Sequence, residues 1–96
     1  MLETERPLPT PAQILEGIRR VAREHLHWVG GLESSTHLFR DLQLDSLKQL
    51  TFVVELENHF QIAFEPGDED GLRTIGDVTK RIAERLAEAK ISSKTS

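Results

Sequence analysis

The sequence predicts an all-α protein, a small bundle of three main helices and one short helix. Two observations lead to this prediction. Apolar residues recur every three or four positions in three separate stretches of the chain, which is the repeat of one helix face. Hydrophobic residues make up 38% of the 96 residues and aromatic residues only 5%, so the core must be mainly aliphatic. A chain of this length forms one domain, and an aliphatic core of this size is built most easily from helices.

The first helix is predicted to begin at Pro11, because Thr10 is a good N-cap and proline favours the first helical position. Its apolar face comprises Ile14, Ile18, Val21, Ala22 and Leu26. The Gly30-Gly31 pair is expected to end this segment. The loop 32–44 that follows is long for a compact domain. Four apolar residues are expected to hold it against the helices: Leu38, Phe39, Leu42 and Leu44.

A second helix is predicted from about Ser46 to Phe60. Its broad apolar face comprises Leu47, Leu50, Val53, Val54, Leu56 and Phe60. The opposite, polar stripe comprises Lys48, Thr51, Glu55, and either Asn58 or His59. After this helix, the alternation of Ile62 and Phe64 with polar neighbours indicates an extended connector.

The last helix follows a Pro66-Gly67 turn and a short helical turn in the segment 68–73. Thr74 and Asp77 stand at the N-cap and N3 positions, which predicts a capping box. The apolar face of this helix comprises Ile75, Val78, Ile82, Leu86 and Ala89. We therefore expect a single domain over 1–96, with a core over about 11–89 and flexible ends at 1–9 and 91–96.

Composition argues against several classes of function. A net charge of −4 and a pI near 5.5 argue against nucleic-acid binding, which needs a basic surface. The chain has no cysteine, so neither a disulfide nor a thiolate zinc site can form, and no histidines show the spacing of metal ligands. No apolar run is long enough to span a membrane, and the N-terminus is too polar for a secretory signal. We expect a cytoplasmic monomer.

The most informative stretch is Asp45-Ser46-Leu47, where a loop turns into a helix. Asp45 is a natural N-cap, which places the Ser46 hydroxyl at the first helical position, close to unpaired amides. That end of a helix is also favourable for a phosphate, and the neighbouring carboxylate is able to help a modifying enzyme hold magnesium. From position alone, a plain role in starting the helix is the more economical interpretation.

The wider pattern favours attachment of a phosphate-linked group. Asp41-Leu42, Asp45-Ser46-Leu47, Leu56-Glu57-Asn58-His59-Phe60 and Thr74-Ile75-Gly76-Asp77-Val78 together resemble the acyl carrier protein family, over about residues 11–89. The resemblance implies a four-helix bundle in which Ser46, flanked by Asp45 and Leu47, carries 4′-phosphopantetheine. A phosphopantetheinyl transferase installs this arm from coenzyme A. Its thiol holds acyl groups as thioesters, so the resemblance implies a carrier and not an enzyme.

The resemblance also implies two further sets of residues. A partner surface on the second helix would comprise Lys48, Thr51, Val54, Glu55, Glu57 and Asn58. Shelter for an acyl chain would fall to Leu47, Val53, Leu56, Phe60, Ile62, Ile75 and Val78, although core packing is their main expected role. The implied partners are the transferase, a loading ligase or acyltransferase, and a ketosynthase or acyl acceptor transferase.

The sequence departs from the family pattern on the second helix. Carriers in fatty acid synthesis usually present acids there, whereas this chain has Lys48, Thr51 and Asn58-His59; Gln43 also replaces a usual glycine. Because complementary charge steers partner contacts, this favours a specialised fatty acid, polyketide or modified-lipid pathway. Three competing interpretations stay open. They are an ordinary carrier with neutral surface substitutions, a peptidyl or aryl carrier of nonribosomal synthesis, and an unmodified helical interaction module.

Overall fold

The computed structural model describes residues 8–65 and 67–95, with the side chains of 69–70 and 89–95 excepted. The described residues form three α-helices: α1 (Pro11–His25), α2 (Ser46–Phe60) and α3 (Ile75–Thr95). In the described part of the chain, the only β-type pairing is an isolated bridge between His37 and Thr74. The all-α prediction is confirmed. The fourth, short helix is not confirmed as an α-helix, since Asp68–Gly71 forms one turn of 3-10 helix.

Helix α1 begins with a reciprocal capping box. The Thr10 hydroxyl accepts the Gln13 amide at 3.2 Å, and Gln13 Oε1 accepts the Thr10 amide at 2.9 Å. Four residues of its predicted apolar face are buried: Ile14, Ile18, Val21 and Ala22. The helix ends at His25, before the predicted glycine pair, and Leu26 is its C-cap.

Helices α1 and α2 run antiparallel and touch at two levels. Near the end of α2, Gly17 faces the ring of Phe60, and a Cβ on that glycine would lie 2.6 Å from Phe60 Cζ. Closer to the end of α1, His25 Nε2 lies 3.4 Å from Glu55 Oε1 of α2. The missing side chain at Gly17 is what permits this close approach.

The apolar face of α2 differs from the predicted one. Phe52 and Leu56 are buried, while Leu47, Leu50 and Val54 are exposed by 72%, 60% and 40%. Leu47 was expected to pack mainly in the core, which was wrong, and the predicted apolar face omitted Phe52. Apolar residues lie on nearly every side of α2, so periodicity alone does not show which side faces the core.

The long loop before α2 is fixed to the start of α3. The amide of Leu38 donates to the Arg73 carbonyl at 2.9 Å, and the amide of Ile75 donates to the Thr36 carbonyl at 2.9 Å. The buried leucines of this segment are Leu32, Leu38, Leu42 and Leu44. Phe39 was predicted to hold this loop against the helices. That prediction was wrong, because Phe39 is 47% exposed.

Helix α3 starts as the sequence predicts. Asp77 Oδ2 accepts the Thr74 amide at 3.1 Å, while the Thr74 hydroxyl accepts the Asp77 amide at 3.2 Å. Ile75, Val78 and Ile82 are buried, Leu86 packs against the core, and the side chain of Ala89 lies outside the described residues. The helix reaches Thr95 and so includes most of the predicted flexible end 91–96. Residues 1–7 and 96, also assigned to flexible ends, lie outside the described residues.

The 3-10 turn is tied to α3 by a buried carboxylate. Asp68 is 6% exposed and accepts hydrogen bonds from Arg85 at 2.8 Å and from Arg81. The hydrogen bond from Arg85 lowers the pKa of Asp68 below its usual value, although burial opposes this shift. This cluster therefore joins the 3-10 turn to α3.

Candidate functional site

Ser46 is the first residue of α2, but it does not cap the helix. The cap is Asp45, whose Oδ1 accepts the Lys48 amide and whose carbonyl accepts the Gln49 amide, both at 2.8 Å. The Ser46 side chain is exposed, and its hydroxyl makes no hydrogen bond with any described residue. Asp45 therefore caps α2, and Ser46 does not.

The backbone that leads into Ser46 is held in a defined turn. His37 Nδ1 accepts the amides of Phe39 and Arg40 at 3.2 and 3.1 Å, while Asp41 Oδ2 accepts the His37 amide at 2.8 Å. The Leu44 amide donates to the Leu38 carbonyl at 3.3 Å, which ties the turn to the residue just before Asp45. The position of Ser46 is thus set by local bonds and does not depend on its own side chain.

The turn includes one strained residue. Gln43 has φ of 55°, in the left-handed region that favours glycine. Its neighbours Leu42 and Leu44 are both buried. This is the position at which the sequence departs from the usual glycine.

The electrostatic environment of Ser46 suits a phosphate ester. The amides of Ser46 and Leu47 precede the first helical hydrogen bonds and so have no acceptor within α2. The positive end of the helix dipole lies at the same place. Asp45 uses only Oδ1 for the cap, and its Oδ2 makes no bond with the described residues, which leaves it available to a cation.

A surface depression of about 200 Å³ lies beside Ser46 and is lined by Ser46, Gln49, Leu50 and Val53. A group attached to Ser46 would lie next to this depression. Of the residues predicted to shelter an acyl chain, only Val53 lines it. The others lie elsewhere: Leu56, Ile75 and Val78 are core residues, Phe60 and Ile62 pack against the core, and Leu47 is exposed.

The residues of the predicted partner surface fall into two groups. Lys48, Val54 and Asn58 are exposed, and Thr51 is half-buried. The two acids make internal contacts instead: Glu55 pairs with His25, and Glu57 Oε2 accepts the Phe64 amide at 2.7 Å. Leu47 and Leu50 are exposed beside Ser46 and were not assigned to this surface. Their spacing with Val54, three and then four residues, is the signal that would have identified them.

Comparisons with known proteins identify the family of the chain. The family model described as "Phosphopantetheine attachment site" matches residues 16–82, a range that includes all of α2. An acyl carrier protein from Exiguobacterium sp. is 33% identical over 78 residues, which cover 80% of this chain and 99% of that relative. The chain belongs to the acyl carrier protein family. An acyl carrier protein from Chlamydia muridarum is 37% identical over 54 residues, covering 56% of this chain and 70% of that protein.

Members of the acyl carrier protein family carry 4′-phosphopantetheine, which is therefore the cofactor of this chain. The residues at the start of α2 fit this group, since an exposed hydroxyl without a partner, free helix amides and a shallow depression lie together there. Acyl carriers work with partner enzymes such as synthases and transferases. Among the described residues, no helix combines the length and the apolar character needed to cross a membrane.

Proposed function

We propose that Ser46 is the attachment residue and that the chain carries acyl intermediates for a specialised fatty acid, polyketide or modified-lipid pathway. One observation supports the assignment of Ser46 above all. Its hydroxyl is exposed at the first position of α2 and has no partner among the described residues, because Asp45 already caps the helix. A serine that contributes no bond to the described fold is free to accept a large substituent.

The local residues suit the chemistry of attachment. Ser46 Oγ attacks the β-phosphorus of coenzyme A and gives its proton to a base of the transferase, and a phosphodiester forms as the bond to adenosine 3′,5′-bisphosphate breaks. The free amides of α2 stabilise the anionic product, and Asp45 Oδ2 can help hold the magnesium ion that the transferase uses. The attached group supplies a thiol that holds acyl chains as thioesters. Since the chain itself has no cysteine, that thiol is its sole one.

The surface of α2 supports a specialised pathway. Lys48 is exposed near Ser46, and Lys48, Thr51 and Asn58-His59 stand where the family pattern leads one to expect acids. The proposed partners are a phosphopantetheinyl transferase, a loading ligase or acyltransferase, and a ketosynthase or acyl acceptor transferase. The chain acts as their substrate and catalyses no step itself. A cytoplasmic location stays a prediction.

The attachment is tested by intact mass after incubation with coenzyme A, magnesium and a broad-specificity phosphopantetheinyl transferase. Wild type is expected to gain one phosphopantetheine, and Ser46→Ala none. Ser35→Ala is the matched control, because Ser35 is also exposed and its side chain makes no bond with the described residues. A wild-type protein that is helical by circular dichroism and gains no mass would instead support the helical interaction module.

The pathway is tested with the phosphopantetheine-loaded protein and the enzymes of housekeeping fatty acid synthesis. We expect these enzymes to process it at least tenfold less efficiently than their usual carrier, since its docking surface lacks the expected acids. Equal efficiency would reject the specialised role and leave an ordinary acyl carrier.

A further inference from the structure

Four consecutive backbone amides of the turn before α2 donate to a single residue, His37. Its carbonyl accepts the amides of Asp41 and Leu42 at 2.9 and 3.2 Å. Its ring nitrogen Nδ1 accepts the amides of Phe39 and Arg40 at 3.2 and 3.1 Å. His37 therefore satisfies the amides of this turn in the way that an N-cap satisfies the first amides of a helix.

The turn over residues 37–42, which we call the histidine turn, is joined to the residues that present Ser46. The Leu44 amide donates to the Leu38 carbonyl at 3.3 Å, and Leu44 directly precedes Asp45. Asp45 is the N-cap of α2, and Ser46 is the first residue of that helix. The bonds of the histidine turn thus help to fix the backbone that carries Asp45 and Ser46.

The two bonds to the imidazole of His37 require one protonation state. Nδ1 accepts a hydrogen bond only when it carries no proton, so the ring must be neutral with its proton on Nε2. Histidine is the side chain that ordinarily changes its charge between about pH 5 and 8, and His37 is only half-buried. A protonated ring has no acceptor at either nitrogen. Protonation therefore removes both bonds from the amides of Phe39 and Arg40.

The charged groups near the imidazole include both signs. Within the histidine turn they are Arg40 and Asp41, whose Oδ2 accepts the His37 amide at 2.8 Å. The bridge to His37 comes from the segment that begins α3, where the charged residues are Arg73 and Asp77. Two carboxylates and two guanidinium groups thus lie on the two segments, and neither sign dominates. The loss of the two acceptor bonds remains as the specific cost of protonating the ring.

We propose that His37 is a positioning residue for the attachment reaction and that protonation of its ring opens the histidine turn. The open turn holds Asp45 and Ser46 less firmly, so cofactor addition becomes slower as the pH falls from about 8 to about 5.5. This inference rests on the proposed function, because it assumes that Ser46 is the attachment residue. It adds one condition to the site, which is an unprotonated imidazole eight residues before Asp45.

The test measures kcat/KM for cofactor addition by one phosphopantetheinyl transferase between about pH 5.5 and 8. Each variant is compared with wild type at the same pH, so that the pH dependence of the enzyme itself cancels. His37→Asn keeps an acceptor that does not titrate, since asparagine is a strong capping residue, whereas His37→Ala removes the acceptor at every pH. The matched control is His27→Asn. His27 is exposed, its side chain makes no bond with the described residues, and asparagine tolerates its φ of 57°.

At about pH 8, His37→Asn is expected to react within about twofold of wild type, and His37→Ala about fivefold more slowly. At about pH 5.5, wild type should react about fivefold more slowly than His37→Asn, while His27→Asn stays within about twofold of wild type throughout. Hydrogen exchange gives a second readout. Protection of the Phe39 and Arg40 amides should fall in wild type at the lower pH and persist in His37→Asn.

A constant ratio of kcat/KM between wild type and His37→Asn across the pH range would overturn the inference and leave Ser46 as the attachment residue. Amides that stay protected while the His37 ring takes up its proton would also overturn it. His37→Asp supplies a carboxylate acceptor over the same range and should behave as His37→Asn does, which guards against an effect of the amide group alone. Failure of the transferase to modify wild type at any pH would instead overturn the proposed function, and the positioning role with it.

Discussion

Gly17 of α1 lies so close to Phe60 of α2 that a Cβ on the glycine would stand 2.6 Å from Phe60 Cζ and 3.1 Å from His59 Nε2. Carbon atoms in ordinary contact stay about 3.5–4.0 Å apart. The contact therefore sets how closely the two helices pack. It lies at the opposite end of α2 from Ser46.

Replacing Gly17 with alanine is expected to lower the free energy of unfolding by about 1 kcal/mol. Overpacking costs roughly 1–3 kcal/mol, which outweighs the gain of about 1 kcal/mol from the better helix former. Urea unfolding followed by circular dichroism measures the change. In a Phe60→Ala background the same substitution should become stabilising, since the ring is gone. An equal loss in both backgrounds would show that the ring is not the cause.

Asp45 has two separable tasks, since it caps α2 through Oδ1 and leaves Oδ2 free of the described residues. Asp45→Asn should keep stability within about 0.5 kcal/mol, because asparagine is an equally good cap. The same variant should lose about tenfold in kcat/KM for cofactor addition, because it lacks the carboxylate that helps hold magnesium. Unfolding curves and mass-based kinetics give the two readouts.

Asp45→Ala serves as the comparison for this prediction. It should lose about 1 kcal/mol of stability together with the rate. If Asp45→Asn reacts as fast as wild type, the carboxylate has no part in attachment and Asp45 is a cap alone.

Gln43 is expected to be a site of stabilisation. Its φ of 55° costs a non-glycine residue roughly 1–2 kcal/mol, and glycine loses part of this advantage through roughly 0.4–1 kcal/mol of extra entropy in the unfolded chain. Gln43→Gly should therefore raise the free energy of unfolding by about 0.5–1 kcal/mol. Gln43→Ala, which keeps the strain, should bring no gain. A similar gain from alanine would trace the effect to the glutamine side chain.

The buried Asp68 makes stability depend on acidic pH. Its pKa is lowered in the folded state, chiefly by the hydrogen bond from Arg85, so the stability it contributes is present above its unfolded pKa of about 3.8. That contribution is lost as the pH falls through the lower, folded pKa. Asp68→Asn should lower the melting temperature at pH 7 by roughly 5 °C and should flatten its fall below pH 4.

The surface residue Glu84 provides the control for Asp68. Its pair with Arg81 spans 3.4 Å on an exposed side of α3, and exposed pairs contribute little. Glu84→Gln should therefore leave both the melting temperature at pH 7 and its dependence on pH close to wild type. An unchanged acid profile in Asp68→Asn would assign the pH dependence to other carboxyl groups.

The sequence was sufficient to predict α1 and α3 and insufficient for the orientation of α2. In α1 and α3 the apolar residues occupy one side only, so the repeat that predicts the helix also identifies its buried face. In α2 apolar residues occur almost all round, and the buried side is chosen by tertiary contacts such as that between Gly17 and Phe60. The apolar repeat therefore included the exposed Leu47 and Leu50 in the predicted apolar face and omitted the buried Phe52.

The start of the candidate site was also predictable, because the N-cap at Asp45 and the position of Ser46 are local features. Its surface was not. The contacts that engage Glu55 and Glu57 come from His25, far along the chain, and from the Phe64 amide in the connector. A local sequence pattern does not predict contacts between residues far apart in the chain, so both acids were expected on the partner surface.

Because Asp45 caps α2 and Ser46 does not, the stability of the protein should not depend on whether Ser46 is modified. Since the helix is closed by Asp45, esterifying Ser46 or removing its ester breaks no hydrogen bond of the described fold. The modified and unmodified forms should therefore share one folded structure and equal resistance to proteolysis. Such a protein can be stored in its unmodified state and converted when needed, with no refolding step on the way.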